Sequence, residues 1–166
     1  MRRTSTQHVE LAIKRIVISS VILVVATSIA AVAIAQASPA RAHASGVAKI
    51  AVRHTARGNL LVSSSGFTLY EFTRDRPHQD VCVKIKECSE SWPALETTGR
   101  PKAGAGVKAS LLSSINLADG RKQVTYDGRA LYLYSGDSGP GETYYIGATQ
   151  FGGSWYAISP SGAAVK

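Results

Sequence analysis

The chain has 166 residues, 45% of them apolar, and a formal net charge of +8. That length fits one packed domain plus a targeting segment. Two cysteines exclude a disulfide-rich miniature, and positive residues scattered over Arg53, Lys84, Lys108 and Arg129 exclude the dense basic run of a nucleic-acid footprint.

Lys14-Arg15 opens onto Ile16 to Ile34, an uncharged apolar run of 19 residues. Small-x-small sites follow at Ala35-Gln36-Ala37 and Ala42-His43-Ala44. Residues 1–37 read as a secretory signal peptide. The run is also just long enough to cross a bilayer, so an uncleaved signal anchor, with its basic side inside, is the alternative. Both readings predict an N-terminal apolar helix and an exported domain that meets the membrane only there. Without Arg2, Arg3, Lys14, Arg15 and Glu10, 15 positive and 10 negative residues remain, a net +5. That mild basicity would attract anionic envelope polymers or glycans.

Residues 38–46, rich in Ala and Ser, read as a flexible tether, residues 47–162 as a β domain and 163–166 as a tail. Ala48, Ile50 and Val52 alternate with Lys49, Ala51 and Arg53 as in a strand. Turns are expected at Arg57-Gly58-Asn59 and Ser64-Ser65-Gly66, with strands over Leu60 to Ser63 and Phe67 to Phe72. Short helices are expected at Ser89 to Trp92, stopped by Pro93, and at Ala109 to Ser113. Further on, strands Ile115 to Ala118, Arg121 to Tyr126 and Arg129 to Tyr134 are separated by Asp119-Gly120 and Asp127-Gly128. Asp-Gly favours tight hairpins, because glycine accepts positive φ and aspartate tolerates it. Ser138 to Gly141 should form a loop, and Trp155 to Ser159 the closing strand.

Two stretches of this pattern match each other. With Gly66 set on Gly128, an offset of 62, Val62 meets Val124, Leu69 meets Leu131, Tyr70 meets Tyr132, Phe72 meets Tyr134 and Asp75 meets Asp137. At an offset of 63, Trp92 meets Trp155 and Leu95 meets Ile158. An internal repeat follows, with two units burying a shared core. Side chains alternate across a strand, so Tyr70 and Phe72 share one face and Tyr132 and Tyr134 another. An ionised Glu71 is costly to bury unpaired. The aromatic face is therefore expected inside, with Leu69 and Leu131 partly covered. The predicted fold is mainly β: two pseudo-repeated three-stranded antiparallel meanders forming a small barrel or sandwich, with one or two short helices.

The doubled Tyr-x-aromatic-x-x-Asp pattern, with Gln123 to Gly128 and Phe151 to Trp155, resembles a family of bacterial exported proteins. They are described as secreted repeats or predicted lipoproteins of unknown function with a Yx(FWY)xxD motif. The resemblance covers about Asn59 to Gly162 and implies export and a β-rich repeat. It brings no activity and no catalytic residues. No cysteine follows the apolar run, so a lipid anchor on such a cysteine is not expected.

Cys82 and Cys88 sit in one loop and should pair outside the membrane, closing a small ring worth about 2 kcal/mol. Their spacing fits neither a thioredoxin-type nor a haem-attachment motif, and no second ligand pair follows. Asp75 and Asp137 each end an aromatic strand. They are read as loop caps rather than calcium ligands, because too few oxygens lie nearby in sequence. Gly136 to Pro140 is one glycine short of a trypsin-like serine segment, and His54 lacks the flanks of a partner base. His8, His43, His54 and His78 read as scattered surface residues. Tyr144 and Tyr145 are the candidate ligand-facing pair. Adjacent residues of an extended segment point opposite ways, so one should face solvent.

No catalytic residue, cofactor or metal site is assigned. The expected role is non-enzymatic binding or structural interaction in the cell envelope. Redox or metal handling at the cysteine loop, with His78, is the alternative. Hydrolysis would require a cleft where titratable side chains converge with displaced pKa values.

Overall fold

The computed structural model describes residues 46–166. The signal or anchor reading of residues 1–37, its apolar helix and nearly all of the tether lie outside the described residues.

Strand β1 (Lys49–Thr55) turns at Ala56-Arg57 into antiparallel β2 (Gly58–Ser63). β1 also pairs in parallel with the short β4 (Lys102–Ala103), a pairing the expected meanders do not contain. β3 (Tyr70–Phe72) does not stay with its own copy. It pairs antiparallel with β9 (Gly153–Ile158) of the second copy, beside β10 (Ala164–Val165), while β8 (Thr149–Gln150) pairs β9 separately. Its link back to β2 is one bridge, Val62 to Thr68. The second copy does form the expected three-stranded meander, β5 (Leu112–Asn116), β6 (Lys122–Tyr126) and β7 (Arg129–Ala130). Its β6–β7 turn holds Asp127 at φ 50° and Gly128 at φ 75°, the doubly positive geometry of a two-residue hairpin. The described residues thus form three small sheets, and no sheet closes into a barrel.

Helix α1 spans Lys86–Ser91, and Trp92 follows as its C-cap. The second expected helix is a single 3₁₀ turn, Ala109–Leu111, and another 3₁₀ turn, Cys82–Lys84, precedes α1. β7 is far shorter than the expected Arg129 to Tyr134. The reason is that Tyr132 leaves the meander to bridge Tyr70 and Ala94.

Those bridges lie on a pseudo-two-fold axis. Tyr70 and Tyr132, equivalent in the repeat, exchange both backbone hydrogen bonds at 3.0 and 2.9 Å. Each aromatic segment then pairs with the tryptophan segment of the other copy. Tyr70 faces Ala157 and Tyr132 faces Ala94, 63 positions apart. Thr73 donates to the Ser154 carbonyl, and Ser135 donates to that of Ser91. The copies are interlocked, not merely stacked.

Both faces of the first aromatic segment are buried, which corrects the expectation of one inner face, whereas in the second Leu133 and Tyr134 are only half-buried. Tyr70, Phe72, Trp92, Tyr132 and Trp155 pack with Cys82, Cys88 and Ala130 in an aromatic core. Leu69 and Leu131 are fully enclosed, not partly covered, in a second core with Ile50, Leu61, Leu95, Val124 and Ile158. Glu71 is buried as well. It tolerates burial because Arg129 Nε lies 2.7 Å from its Oε2.

Cys82 and Cys88 are joined as a disulfide, and both are fully buried in the aromatic core. Replacing both with serine is expected to lower stability by about 2 kcal/mol or more, since loop closure and core packing are lost together. Urea unfolding of the two forms measures this. A thiol assay on unfolded, unreduced wild type should find no free cysteine.

Candidate functional site

The motif residues converge where the copies cross. Their polar ends are used reciprocally. Tyr132 Oη donates to Asp75 Oδ2 at 2.6 Å, and Tyr70 Oη donates to Asp137 Oδ2 at 3.2 Å. Each tyrosine thus binds the aspartate of the other copy, and a spacing that reads as local is satisfied across the axis.

The capping expectation holds for Asp75 and is incomplete. Its Oδ1 accepts the Val81 backbone N–H at 2.8 Å, while its second oxygen takes Tyr132. The start of both turns is the same: Asp75 N–H donates to the Phe72 carbonyl, and Asp137 N–H to that of Tyr134. Burial pushes the Asp75 carboxyl up to about 6, against the Tyr132 and Val81 hydrogen bonds that favour its charged form. Burial also raises Asp80 and Glu71, the latter despite Arg129. Both tyrosine hydroxyls are pushed far up, first by burial and then by the carboxylates.

The sign of the resulting pH dependence is set by these directions. A carboxyl raised in the folded state binds its proton more tightly there than in the unfolded chain. The contribution of Asp75 is fully present below about 4 and is lost as pH rises through about 6. Asp80 and Glu71 act in the same sense. Stability should fall by about 1–2 kcal/mol between those limits, after allowance for the partial exposure of Asp75. Urea midpoints across this range measure it, and Asp75→Asn should flatten the curve.

The rings form a continuous stack. Phe72 lies on Trp155 at 4.2 Å and Trp155 on Trp92 at 4.0 Å with planes 3° apart, while Trp92 meets Tyr134 at 4.3 Å and Tyr134 meets Tyr145 at 3.8 Å with planes tilted by 39° and 45°. Tyr132 meets Trp155 edge-on at 5.1 Å, and Tyr70 meets Trp92 edge-on at 5.2 Å. The two tryptophans, equivalent in the repeat, are thus stacked on each other. Offset and edge-on pairs of this kind add about 0.5–1.5 kcal/mol each beyond burial. Trp92 Nε1 donates to Gln150 Oε1 at 2.8 Å.

Tyr144 and Tyr145 lie in a turn, not in the extended segment expected, and only one of them faces solvent. Tyr144 is 84% exposed, whereas Tyr145 is half-buried against Tyr134. Their loop is tied down: Thr68 Oγ1 donates to the Glu142 carbonyl, Gly141 N–H to that of Gly66, and Gly147 N–H to that of Trp155.

A cleft of about 290 Å³ opens beside the crossing, lined by Glu71, Asp75, Asp127, Arg76 and Arg129 among others. Titratable groups do converge there, and Asp75 and Glu71 are displaced. Both carboxylates are engaged, Asp75 by Tyr132 and Val81, Glu71 by Arg129. Arg129 also donates to the Gly162 carbonyl and lies 3.9 Å from Asp127. No group of three or more His, Cys, Asp or Glu among the described residues is placed to hold a metal ion.

Residues 113–159, from β5 to just past β9, match a family described as a secreted repeat of unknown function. The match spans 47 of the 166 residues and falls on the second copy. The family description supports an extracytoplasmic location. No curated protein and no solved structure matches the chain.

Sequence reasoning did not find Glu71–Arg129 or Asp80. The repeat carried a signal for the first: Glu71 falls on Leu133, so a charge stands where the other copy has an apolar residue. Asp80, buried beside Tyr132, also carried one: at the offset of 62 it falls on Glu142, so a carboxylate stands five residues after each motif aspartate.

Proposed function

We propose that the secreted repeat pair is a non-enzymatic binding or structural interaction module of the cell envelope, and that its ligand is an anionic polymer or glycan. One observation carries this reading. The motif residues are consumed in holding the two copies together, while a well-anchored loop keeps Tyr144 in solvent. Holding a large ring 84% exposed on a loop with several long-range hydrogen bonds suits a stacking platform. The net +5 of the chain beyond residue 37 favours anionic partners. The cleft, with its displaced Asp75 and Glu71, meets the requirement set for hydrolysis and supports that as the second reading; binding is preferred because both acids already serve internal partners.

The test is retention of the exported protein on immobilised envelope glycans and teichoic-type polymers. Wild type should be retained at low salt and released as salt rises. Tyr144→Ala, which removes an exposed ring and leaves both cores intact, should reduce retention at least about fivefold, the effect of losing roughly 1 kcal/mol. Equal retention of both proteins on every polymer would reject the reading.

A further inference from the structure

We propose that the buried Tyr132–Asp75 pair is a one-electron redox site, connected to the surface through Trp155, Trp92, Tyr134 and Tyr145. The proposal is independent of glycan binding and of the cysteine loop.

A tyrosine gives up an electron easily only if its proton can leave at the same time. Tyr132 has a fixed acceptor, the Asp75 carboxylate at 2.6 Å, and the negative charge of Asp80 is also close. Its ring is 1% exposed, which keeps a radical away from solutes that would quench it. The same ring stands edge-on to Trp155 at 5.1 Å, and every later step along the stack is 4.3 Å or less between ring centres. The route ends at Tyr145, which is half-buried at the base of the exposed loop. Neither tryptophan is placed to trap the charge. Among the described residues Trp155 Nε1 is buried without a hydrogen-bond partner, and Trp92 Nε1 meets the weakly basic amide oxygen of Gln150. An oxidised indole there keeps its proton and passes the hole onward.

The step balances as follows in atoms and charge. A one-electron oxidant outside the membrane, of the peroxyl or metal-complex class, takes the electron at the Tyr145 end. Tyr145 and Tyr134 only bridge the electron and keep their hydroxyl protons, Trp92 and Trp155 carry the hole as protonated indoles, and it comes to rest on Tyr132. The hydroxyl proton of Tyr132 crosses to Asp75, leaving a neutral tyrosyl radical and a carboxylic acid. A quinol-class donor returns the electron by the same route, and the proton goes back. The mirror pair Tyr70–Asp137 is longer, at 3.2 Å, so Tyr132 is the preferred seat of the hole.

The experiment oxidises the full exported chain with photogenerated ruthenium(III) tris-bipyridine and follows the radical by electron paramagnetic resonance, with ring-deuterated tyrosine to assign it. Wild type should give a long-lived tyrosyl signal. Tyr132→Phe should lose the long-lived component, Asp75→Asn should greatly reduce it, and Tyr134→Phe should slow its appearance. Near-ultraviolet circular dichroism checks that each variant is folded. Peptide mass mapping of oxidised wild type needs no variant at all. The proposal expects products on Tyr132 and along the stack, with Tyr144 largely spared despite its exposure. Damage confined to Tyr144 and other exposed rings, or a long-lived signal unchanged in folded Tyr132→Phe, would overturn it.

Discussion

Trp155→Ala is expected to cost about 4 kcal/mol, near the upper end for large-to-small changes in a core. Trp155 is fully buried and touches three rings: stacked Trp92 and Phe72, and edge-on Tyr132. Alanine there removes the largest side chain on the pseudo-axis and all three ring pairs with it. The neighbours cannot collapse into the space, because Trp92 is held from its other side by Tyr134 and by Gln150. The strand that carries Trp155 is also the one that pairs with β3, so the loss weakens the lock between copies. Domains of this size have about 5–15 kcal/mol in total, so the variant should unfold at a much lower urea concentration. Trp92→Ala should behave almost identically, which is the distinctive expectation. Two tryptophans that belonged to separately folded copies would instead give separable transitions. Trp155→Phe, which keeps one ring in the stack, should lose less than half as much.

That interlocking marks the limit of what the sequence could say. Internal matching located most of the rings at the crossing, because Tyr70, Phe72 and Trp92 recur as Tyr132, Tyr134 and Trp155 at nearly constant spacing, but not the fully buried Tyr126, which falls on Ser64. The Asp127-Gly128 turn was legible for the same local reason, both φ values being set by the residues themselves, whereas at Asp119-Gly120 only the glycine is positive and a longer loop joins Asn116 to Lys122. Partner choice was not local. Nothing in the stretch from Leu69 to Asp75 says that Tyr70 hydrogen-bonds to Asp137 rather than to a group in its own copy. The antiparallel hairpin is the cheaper inference because it closes a shorter loop. Here the long-range pairing prevails, since it alone stacks Trp92 on Trp155 and satisfies both tyrosine hydroxyls. The parallel pairing of β1 with β4 was hidden for a similar reason. β4 is two residues long, and Lys102–Ala103 carries no strand pattern of its own. The exposed Tyr144 was legible only as one of a pair, and the alternation argument behind it does not apply, since both tyrosines lie in a turn.

Arg129→Met should be the costliest surface change, at about 2–3 kcal/mol, because of what it leaves behind. Arg129 is 41% exposed, but its partner Glu71 has a side chain only 10% exposed. Burial already raises the Glu71 carboxyl with the guanidinium in place. Without it, an ionised carboxylate is stranded in a largely buried position, a defect that costs about 3–5 kcal/mol when burial is complete. The open cleft on this side lets water reach part of the group, hence the smaller figure. The penalty should shrink as pH falls, since Glu71 can take a proton and become neutral. In linkage terms the folded-state pKa rises further, so the variant loses stability as pH rises through neutrality, where wild type is nearly flat. The repeat supplies the compensating change. Leu133 occupies the position matching Glu71, so Glu71→Leu with Arg129→Met places an apolar side chain where the other copy already has one. The double variant should return to within about 1 kcal/mol of wild type and lose the added pH dependence, since replacing both partners of a buried pair is often near neutral. A double-mutant cycle in urea at two pH values measures each term. If Arg129→Met cost under about 0.5 kcal/mol at both, the pair would be an ordinary surface bridge and Glu71 would be reaching solvent through the cleft.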